Sequence, residues 1–277
     1  MHFATLASGS SGNAILVGSG GRSLLIDCGI SAKALLHNLS MLNESSSKVK
    51  IDHSQIEGIV ITHEHRDHIT GIGVVARKLR IPIYATSTLW SEIENSIGKI
   101  QENQRVEVNS EAVFTCAGLG VKLFRTSHDS RESYGLKIQE SNGDYKHTIG
   151  IATDTGIITE EMNEHLKGCD ALVVEANHDK DRLWQGGYPW YLKKRINGIY
   201  GHLENKQLAE GLLEWIEENT QRVVLAHLSE ENNTPDLALS TVARILKDSA
   251  ISRKNPRLRL RVAPRFTPHE LIVLGEE

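Results

Sequence analysis

Within six residues the chain sets His63, Glu64, His65, Arg66, Asp67 and His68. Imidazole nitrogens and a carboxylate oxygen at this density suit zinc, iron or manganese. The run Ile-Val-Ile-Thr precedes them, so an apolar strand delivers the cluster at its end. On extended chain His63 and His65 are two apart and share a face. Asp67 and His68 fall where a helix is expected to begin, and free amides there favour a carboxylate. A solvated polar loop is the bland alternative, but HxHxDH after a buried strand seldom arises by chance. A metal site is the expectation.

Four more donors close apolar runs: Asp27 in Leu-Leu-Ile-Asp-Cys-Gly, His128 in Thr-Ser-His-Asp-Ser, Asp154 in Ile-Ala-Thr-Asp-Thr-Gly and His227 in Leu-Ala-His-Leu-Ser. Each context aims a side chain out of a sheet edge. Singly, such a residue is more often a hydrogen-bonded structural group. In order behind HEHRDH, they become candidate ligands.

The elements that must position them read as short strands with helices between. Strands are expected over 14–17, 23–26, 56–61, 81–85, 106–108, 112–116, 120–124, 134–139, 145–152, 171–175, 222–226, 257–262 and 270–274. Helical spacing marks 31–42, 67–79, 88–97, 159–166 and 192–196, and Asn205 is placed to cap a helix to about Glu218. Pro235 sits in the first turn of another, ending near Ser249. A polar loop is expected over 43–53. This order predicts an α+β fold, an αββα sandwich of two mixed sheets flanked by helices, with residues 1–277 as one domain.

In this order the five motifs resemble those of the metallo-β-lactamase superfamily, over nearly the whole chain. The resemblance implies that His63, His65 and His128 hold one metal ion. Asp67, His68 and His227 would hold a second, and Asp154 would bridge the two. Asp27 would orient the ligand loop by hydrogen bonds. Two divalent ions (Zn2+, Mn2+ or Fe2+) roughly 3.5–4 Å apart can polarise a phosphoryl oxygen and activate a water, here with help from Asp67.

Further segments narrow the resemblance. Ser8, Ser10 and Asn13 lie in a Gly-rich turn that offers amides and hydroxyls to an anion, or is an ordinary hairpin turn. Glu175 and Asn177 follow a strand, with His178 and Asp179 ambiguous beside them. Lys193, Lys194 and Arg195 form a basic triplet beside aromatics, and Gly201-His202-Leu-Glu-Asn opens a helix. With HLSEENN after the fifth motif, this set is similar to the YycJ/WalJ family, bacterial 5′-to-3′ exonucleases on double-stranded DNA. The resemblance implies a nucleic acid partner, duplex DNA with a free 5′ end. His202 matches the position where phosphodiesterases such as tRNase Z place a histidine near the scissile phosphate, so it is a candidate acid. Ser8, Ser10, Asn13, Asn177, Lys193, Lys194 and Arg195 become candidate substrate contacts, and Glu175 a support. One departure is Glu204, where the family has Ser; a carboxylate aimed into a phosphate path would be unhelpful.

Composition bounds the partners. A net charge of −4 gives no global reason to bind nucleic acid. Locally, residues 253–265 hold Arg253, Lys254, Arg257, Arg259, Arg261 and Arg265 and no acid. That run reads either as a phosphate-facing strand or as an edge strand protected by charge. No apolar run approaches the roughly 20 residues that span a bilayer, and the start of the chain lacks a secretory pattern. Cys28, Cys116 and Cys169 are too scattered for a disulfide framework, so a cytoplasmic protein is expected. Other uses of the same metals are RNA processing, a small phosphodiester, a glyoxalase-type thioester, or a scaffold without turnover. His202 and the Ser-rich turn favour phosphate, and the complete ligand set argues against the scaffold.

Overall fold

The computed structural model describes residues 1–45, 49–141 and 146–275. Three parts of the expectations lie outside the described residues: 46–48 of the polar loop, Tyr145, and the side chain of Arg253 in the basic run.

Two seven-stranded mixed sheets pack face to face. The first contains β1 (His2–Ala7), β2 (Ala14–Ser19), β3 (Arg22–Ile26), β4 (Ile56–Val60), β5 (Ile83–Ala85), β6 (Arg105–Glu107) and β14 (Ile272–Val273), in the order β14-β1-β2-β3-β4-β5-β6. The second runs β13-β12-β11-β10-β9-β8-β7, where β7 is Val113–Cys116, β8 Leu119–Arg125, β9 Tyr134–Glu140, β10 Thr148–Ala152, β11 Ala171–Glu175, β12 Arg222–Ala226 and β13 Arg259–Val262. The strands β10 to β13 are parallel, as are β3 to β6. Parallel strands covered on both faces read as continuous apolar runs, which is the pattern of ALVVE in β11 and RVVLA in β12.

Helices cover the outer faces: α1 (Ala32–Ser45), α2 (Arg66–Ile69), α3 (Ile72–Leu79), α4 (Ser87–Ile93), α5 (Glu160–Leu166), α6 (Lys180–Gln185), α7 (Trp190–Ile196), α8 (Asn205–Trp215), α9 (Pro235–Lys247) and α10 (Ile251–Lys254). Met162, Leu166, Leu208, Leu212, Trp215 and Val242 from α5, α8 and α9 build a second core behind β10, β11 and β12.

The sandwich matches the expected fold class, with local differences. The helix expected over 67–79 is two, α2 and α3, separated at Thr70 and Gly71. A Cβ on Gly71 would stand 1.9 Å from the Ile30 carbonyl oxygen, so close approach of two loops sets the break. The strand β1 and the helix α6 were not foreseen. The cap expected at Asn205 is instead Glu204, whose N–H donates to Gln207 Oε1 at 3.1 Å, and α8 stops at Trp215 rather than Glu218. Arg257 precedes the last strand of its sheet, which holds only Arg259 and Arg261 of the expected alternation.

The topology puts one edge of each sheet to a common use. The carboxyl ends of β3 and β4 lie together, and the antiparallel β1–β2 turn, residues 8–13, falls at the same edge. In the second sheet the carboxyl ends of β10, β11 and β12 do the same, beside the loop 126–133 joining β8 to β9. Crevices outside the carboxyl ends of parallel strands are where α/β sheets hold ligands.

Candidate metal centre

Three donors leave their strands by an unusual backbone. Asp27 follows β3, Asp154 follows β10 by two residues, and His227 follows β12; their φ angles are +56°, +59° and +55°. Left-handed conformations at non-glycine residues cost of order 1–3 kcal/mol and persist where surroundings over-determine them. Here the turn aims each side chain back over its own sheet edge.

The donors converge on Asp154. His63, His65 and His128 offer nitrogens within 4.8 Å of one another; the donor atoms of Asp67, His68 and His227 lie as close, as do those of His63, His68 and Asp154. His68 Nε2 is 3.3 Å from Asp154 Oδ2, His227 Nε2 3.4 Å from Oδ1, and His128 Nε2 3.8 Å from Oδ1. His65 Nδ1 faces His128 Nε2 at 3.2 Å.

Partners behind the rings decide which nitrogen each presents. Thr62 Oγ1 donates to Asp27 Oδ2 at 2.6 Å, so at 3.0 Å from His63 Nδ1 it accepts the ring's N–H. His68 Nδ1–H donates to the same Asp27 oxygen at 2.7 Å. His128 Nδ1–H donates to the Gly201 carbonyl at 3.0 Å. Glu175 Oε2 sits 2.9 Å from Nδ1 of His202 and 3.3 Å from Nδ1 of His227. His63, His68, His128 and His227, the candidate ligand rings among these, therefore each turn an Nε2 lone pair inward, the tautomer a metal requires.

Two buried atoms in the cluster, His63 Nε2 and Asp154 Oδ2, have no hydrogen-bond partner among the described residues. An unpartnered lone pair beside an unpartnered carboxylate oxygen is costly without a cation between them. The residues present therefore fit divalent metal ions.

Electrostatics agree. Burial would raise the Asp154 carboxyl, but His227 and His68 outweigh it and hold the group well below the ordinary range. Burial would lower His227, yet Asp154, Asp67 and Glu175 push it up to about 10. Glu175, fully buried at the end of β11, is brought down to about 2 against its burial by His202 and His227. The carboxylates thus draw positive charge into the cluster.

The remaining expected site residues divide. Asn13 Nδ2 lies 3.2 Å from Asp67 Oδ2 and 3.0 Å from His68 Nε2, while its Oδ1 accepts from Gly9 N–H at 2.8 Å. Ser8 Oγ accepts the His227 backbone N–H at 2.8 Å, and Asn177 Nδ2 donates to the His227 carbonyl at 3.0 Å. These residues grip ligand loops. Ser10 is exposed at the turn. Arg195 Nε donates to Asp129 Oδ2 at 2.5 Å, and Asp129 Oδ1 is 3.4 Å from His128 Nε2, so Arg195 stands at the rim of the centre. Lys194 is exposed. Lys193 is buried, and its ammonium donates to the carbonyls of Trp184 at 2.8 Å and Gly186 at 2.7 Å; it ties α6 to α7 rather than facing the cleft. Glu204 lies 3.6 Å from Lys180 Nζ, which answers its charge.

Sequence reasoning missed Thr62, Gly201 and Asp129, which touch ligands through one atom each. Thr62 and Asp129 adjoin His63 and His128 in sequence, the one signal that pointed to them.

Comparisons with known proteins align with this geometry. Residues 22–228 match the family described as the beta-lactamase superfamily domain. Exodeoxyribonuclease YycJ of Bacillus anthracis is 36% identical over 248 residues, 90% of either chain. Exodeoxyribonuclease WalJ of Streptococcus pneumoniae is 33% identical over 246 residues, 88% of this chain and 87% of its own. Among solved structures, the metallo-β-lactamase-fold protein YhfI from Bacillus subtilis superposes with a TM-score of 0.68 at 17% identity, covering 97% of this chain and 98% of that one. Human tRNase Z, short form, gives 0.63 at 18% identity over the full length of both.

Proposed function

The chain belongs to the metallo-β-lactamase superfamily and, within it, to the YycJ/WalJ family, and on that premise we propose that it is a DNA exonuclease acting from free 5′ ends of duplex DNA. It is a metal-dependent hydrolase of phosphodiester bonds. The observation that carries the reading is the inward-facing donor cluster around Asp154, with unpartnered lone pairs at its centre, in a chain similar throughout to named exodeoxyribonucleases.

His63, His65 and His128 would hold one ion and Asp67, His68 and His227 a second, with Asp154 shared between them. Zinc, manganese and iron all accept this donor set. Bound there, the ions supply Lewis-acid polarisation of a phosphoryl oxygen and activation of a water. The chain's own residues do the rest. Asp67, half-buried and 3.4 Å from His227 Nε2, is placed to take the proton of the attacking water. His202 keeps its Nδ1–H on Glu175, and its side chain is 20% exposed. Its Nε2 is the atom available to give a proton to the leaving oxygen, while Glu175 stabilises the charged ring. Lys194 and Arg195 at the rim offer charge to flanking phosphates.

The test is cleavage of 5′-phosphorylated duplex DNA, single-stranded DNA and structured RNA with manganese or zinc, beside an Asp67→Ala control. Stepwise mononucleotide release from duplex DNA, lost in the variant, is the expected result. Cleavage of RNA alone would move the chain to RNA processing.

A further inference from the structure

One surface beside the centre has no part in the chemistry above. Trp190, Tyr191, Ile199 and Tyr200 are 61%, 73%, 57% and 59% exposed, four large apolar side chains within eleven residues. Leaving a large aromatic in water forfeits the free energy of burying it. A contiguous exposed patch of such groups marks a binding surface.

The patch is bolted to the metal centre. The Tyr200 carbonyl accepts from the Asp129 N–H at 3.0 Å, and the Ile199 carbonyl from the Ser127 hydroxyl at 2.7 Å; the residue between them, His128, is held by Gly201. Tyr191 is one helical turn from Arg195, whose guanidinium reaches Asp129. Trp190 stands one turn from Lys194, whose ammonium lies over its ring at 5.4 Å, and its other neighbour is the Trp184 ring at 5.0 Å. Aromatic faces interleaved with cations, continuous with a phosphodiesterase centre, meet the chemistry of an unpaired nucleic acid strand: bases stack while phosphates pair with charge.

We propose that Trp190, Tyr191 and Tyr200 form a stacking ledge for the unpaired bases of the strand being cut, next to the scissile phosphate. On this ledge a duplex end is held frayed, and one strand reaches the metal centre. The inference rests on the phosphodiesterase reading and names how that site takes its substrate.

The test is binding by the metal-loaded full chain. Fluorescence anisotropy compares a 5′-phosphorylated oligothymidylate, with phosphorothioate linkages to slow turnover, against an abasic strand of the same length and charge. The expected result is tighter binding of the base-bearing strand. Trp190→Ala or Tyr200→Ala shrinks that preference about tenfold, and Trp190→Phe keeps it. An equal preference in wild type and both alanine variants overturns the ledge. So does a wild-type dimer that Trp190→Ala splits without changing the preference, because the patch then serves a second copy of the chain. A chain that cleaves DNA but ignores bases loses the ledge and keeps the nuclease reading. A chain that prefers bases but cleaves no phosphodiester does the reverse.

Discussion

Asp27 Oδ2 accepts the Nδ1–H of His68 at 2.7 Å across 41 residues of sequence, and that same oxygen accepts the hydroxyl of Thr62, which in turn takes the N–H of His63. One carboxylate therefore sets the tautomer of two candidate ligand rings whose centroids lie 4.1 Å apart beside Asp154. Asp27 sits in a left-handed turn that Asn also tolerates. Asp27→Asn keeps the backbone and leaves one oxygen to accept the Thr62 N–H, but sets an NH2 donor where Oδ2 accepts from Thr62 and His68. Metal retained after dialysis against a competing chelator is expected to fall 10- to 100-fold in affinity, about the usual effect of losing such a partner. Unchanged retention would mean the rings are oriented by their loop alone.

His202 and the metal ligands separate by leaving group. If His202 protonates the departing oxygen, His202→Ala slows cleavage of a DNA phosphodiester by about 10²–10⁴. The same variant hydrolyses bis(p-nitrophenyl) phosphate at close to the wild-type rate, because p-nitrophenolate leaves without a proton. Metal content stays unchanged. Equal losses on both substrates would assign His202 to positioning instead.

Removing the metal should unmask the repulsion among Asp67, Asp154 and Glu175. A ligand bound only by the folded state stabilises it by about 4 kcal/mol at a thousandfold excess over Kd. For a chain of this size each 1 kcal/mol moves Tm by about 2–4 °C. Chelation is therefore expected to lower Tm by about 10 °C, reversed by manganese or zinc, as read by differential scanning calorimetry.

Much of this donor cluster is legible in the sequence because its donors are local events. HEHRDH is compact, and Asp27, Asp154 and His227 each follow an apolar strand, so topology alone gathers them where one edge of each sheet meets. The supports are illegible for the opposite reason. Ser8 reaches His227 across 219 residues and Gly201 reaches His128 across 73, and no local pattern encodes either distance. The split between α2 and α3 depends on Ile30 pressing against Gly71, a contact between loops rather than a periodicity. Burial misleads likewise at Lys193, which in sequence is one of three adjacent cations and in the fold has a wholly different environment from Lys194.

His2 gives a stability signature distant from metal chemistry. It is buried in β1, its Nε2 has no hydrogen-bond partner among the described residues, and burial, with the neighbouring N-terminal ammonium, lowers it to about 4. The unfolded chain holds it near 6.5, so between about 6.5 and 4 the unfolded state binds more protons. The contribution is fully present above 6.5 and is lost as pH falls through 4. In chelator-treated protein, urea unfolding should show about one more proton taken up on unfolding in that window for wild type than for His2→Gln. Parallel pH profiles would place the acid sensitivity elsewhere.

The contrast between two adjacent lysines is the sharpest check on the site's boundary. Lys193 Nζ answers two carbonyls at the α6–α7 junction, and its removal leaves them without their donor. Lys193→Ala is expected to cost about 1–3 kcal/mol of stability, with the salt dependence of DNA binding intact. Lys194 is exposed beside Trp190, so Lys194→Ala should leave stability within about 0.5 kcal/mol. It should instead flatten the slope of log K against log salt by about 0.9, one phosphate contact on duplex DNA. Urea titrations and binding at several salt concentrations measure both quantities on both variants. If Lys193→Ala flattened the slope and spared stability, Lys193 would belong in the substrate path after all. The α6–α7 junction would then need another source of rigidity, because the Trp184 and Gly186 carbonyls would have no reason to converge on one ammonium.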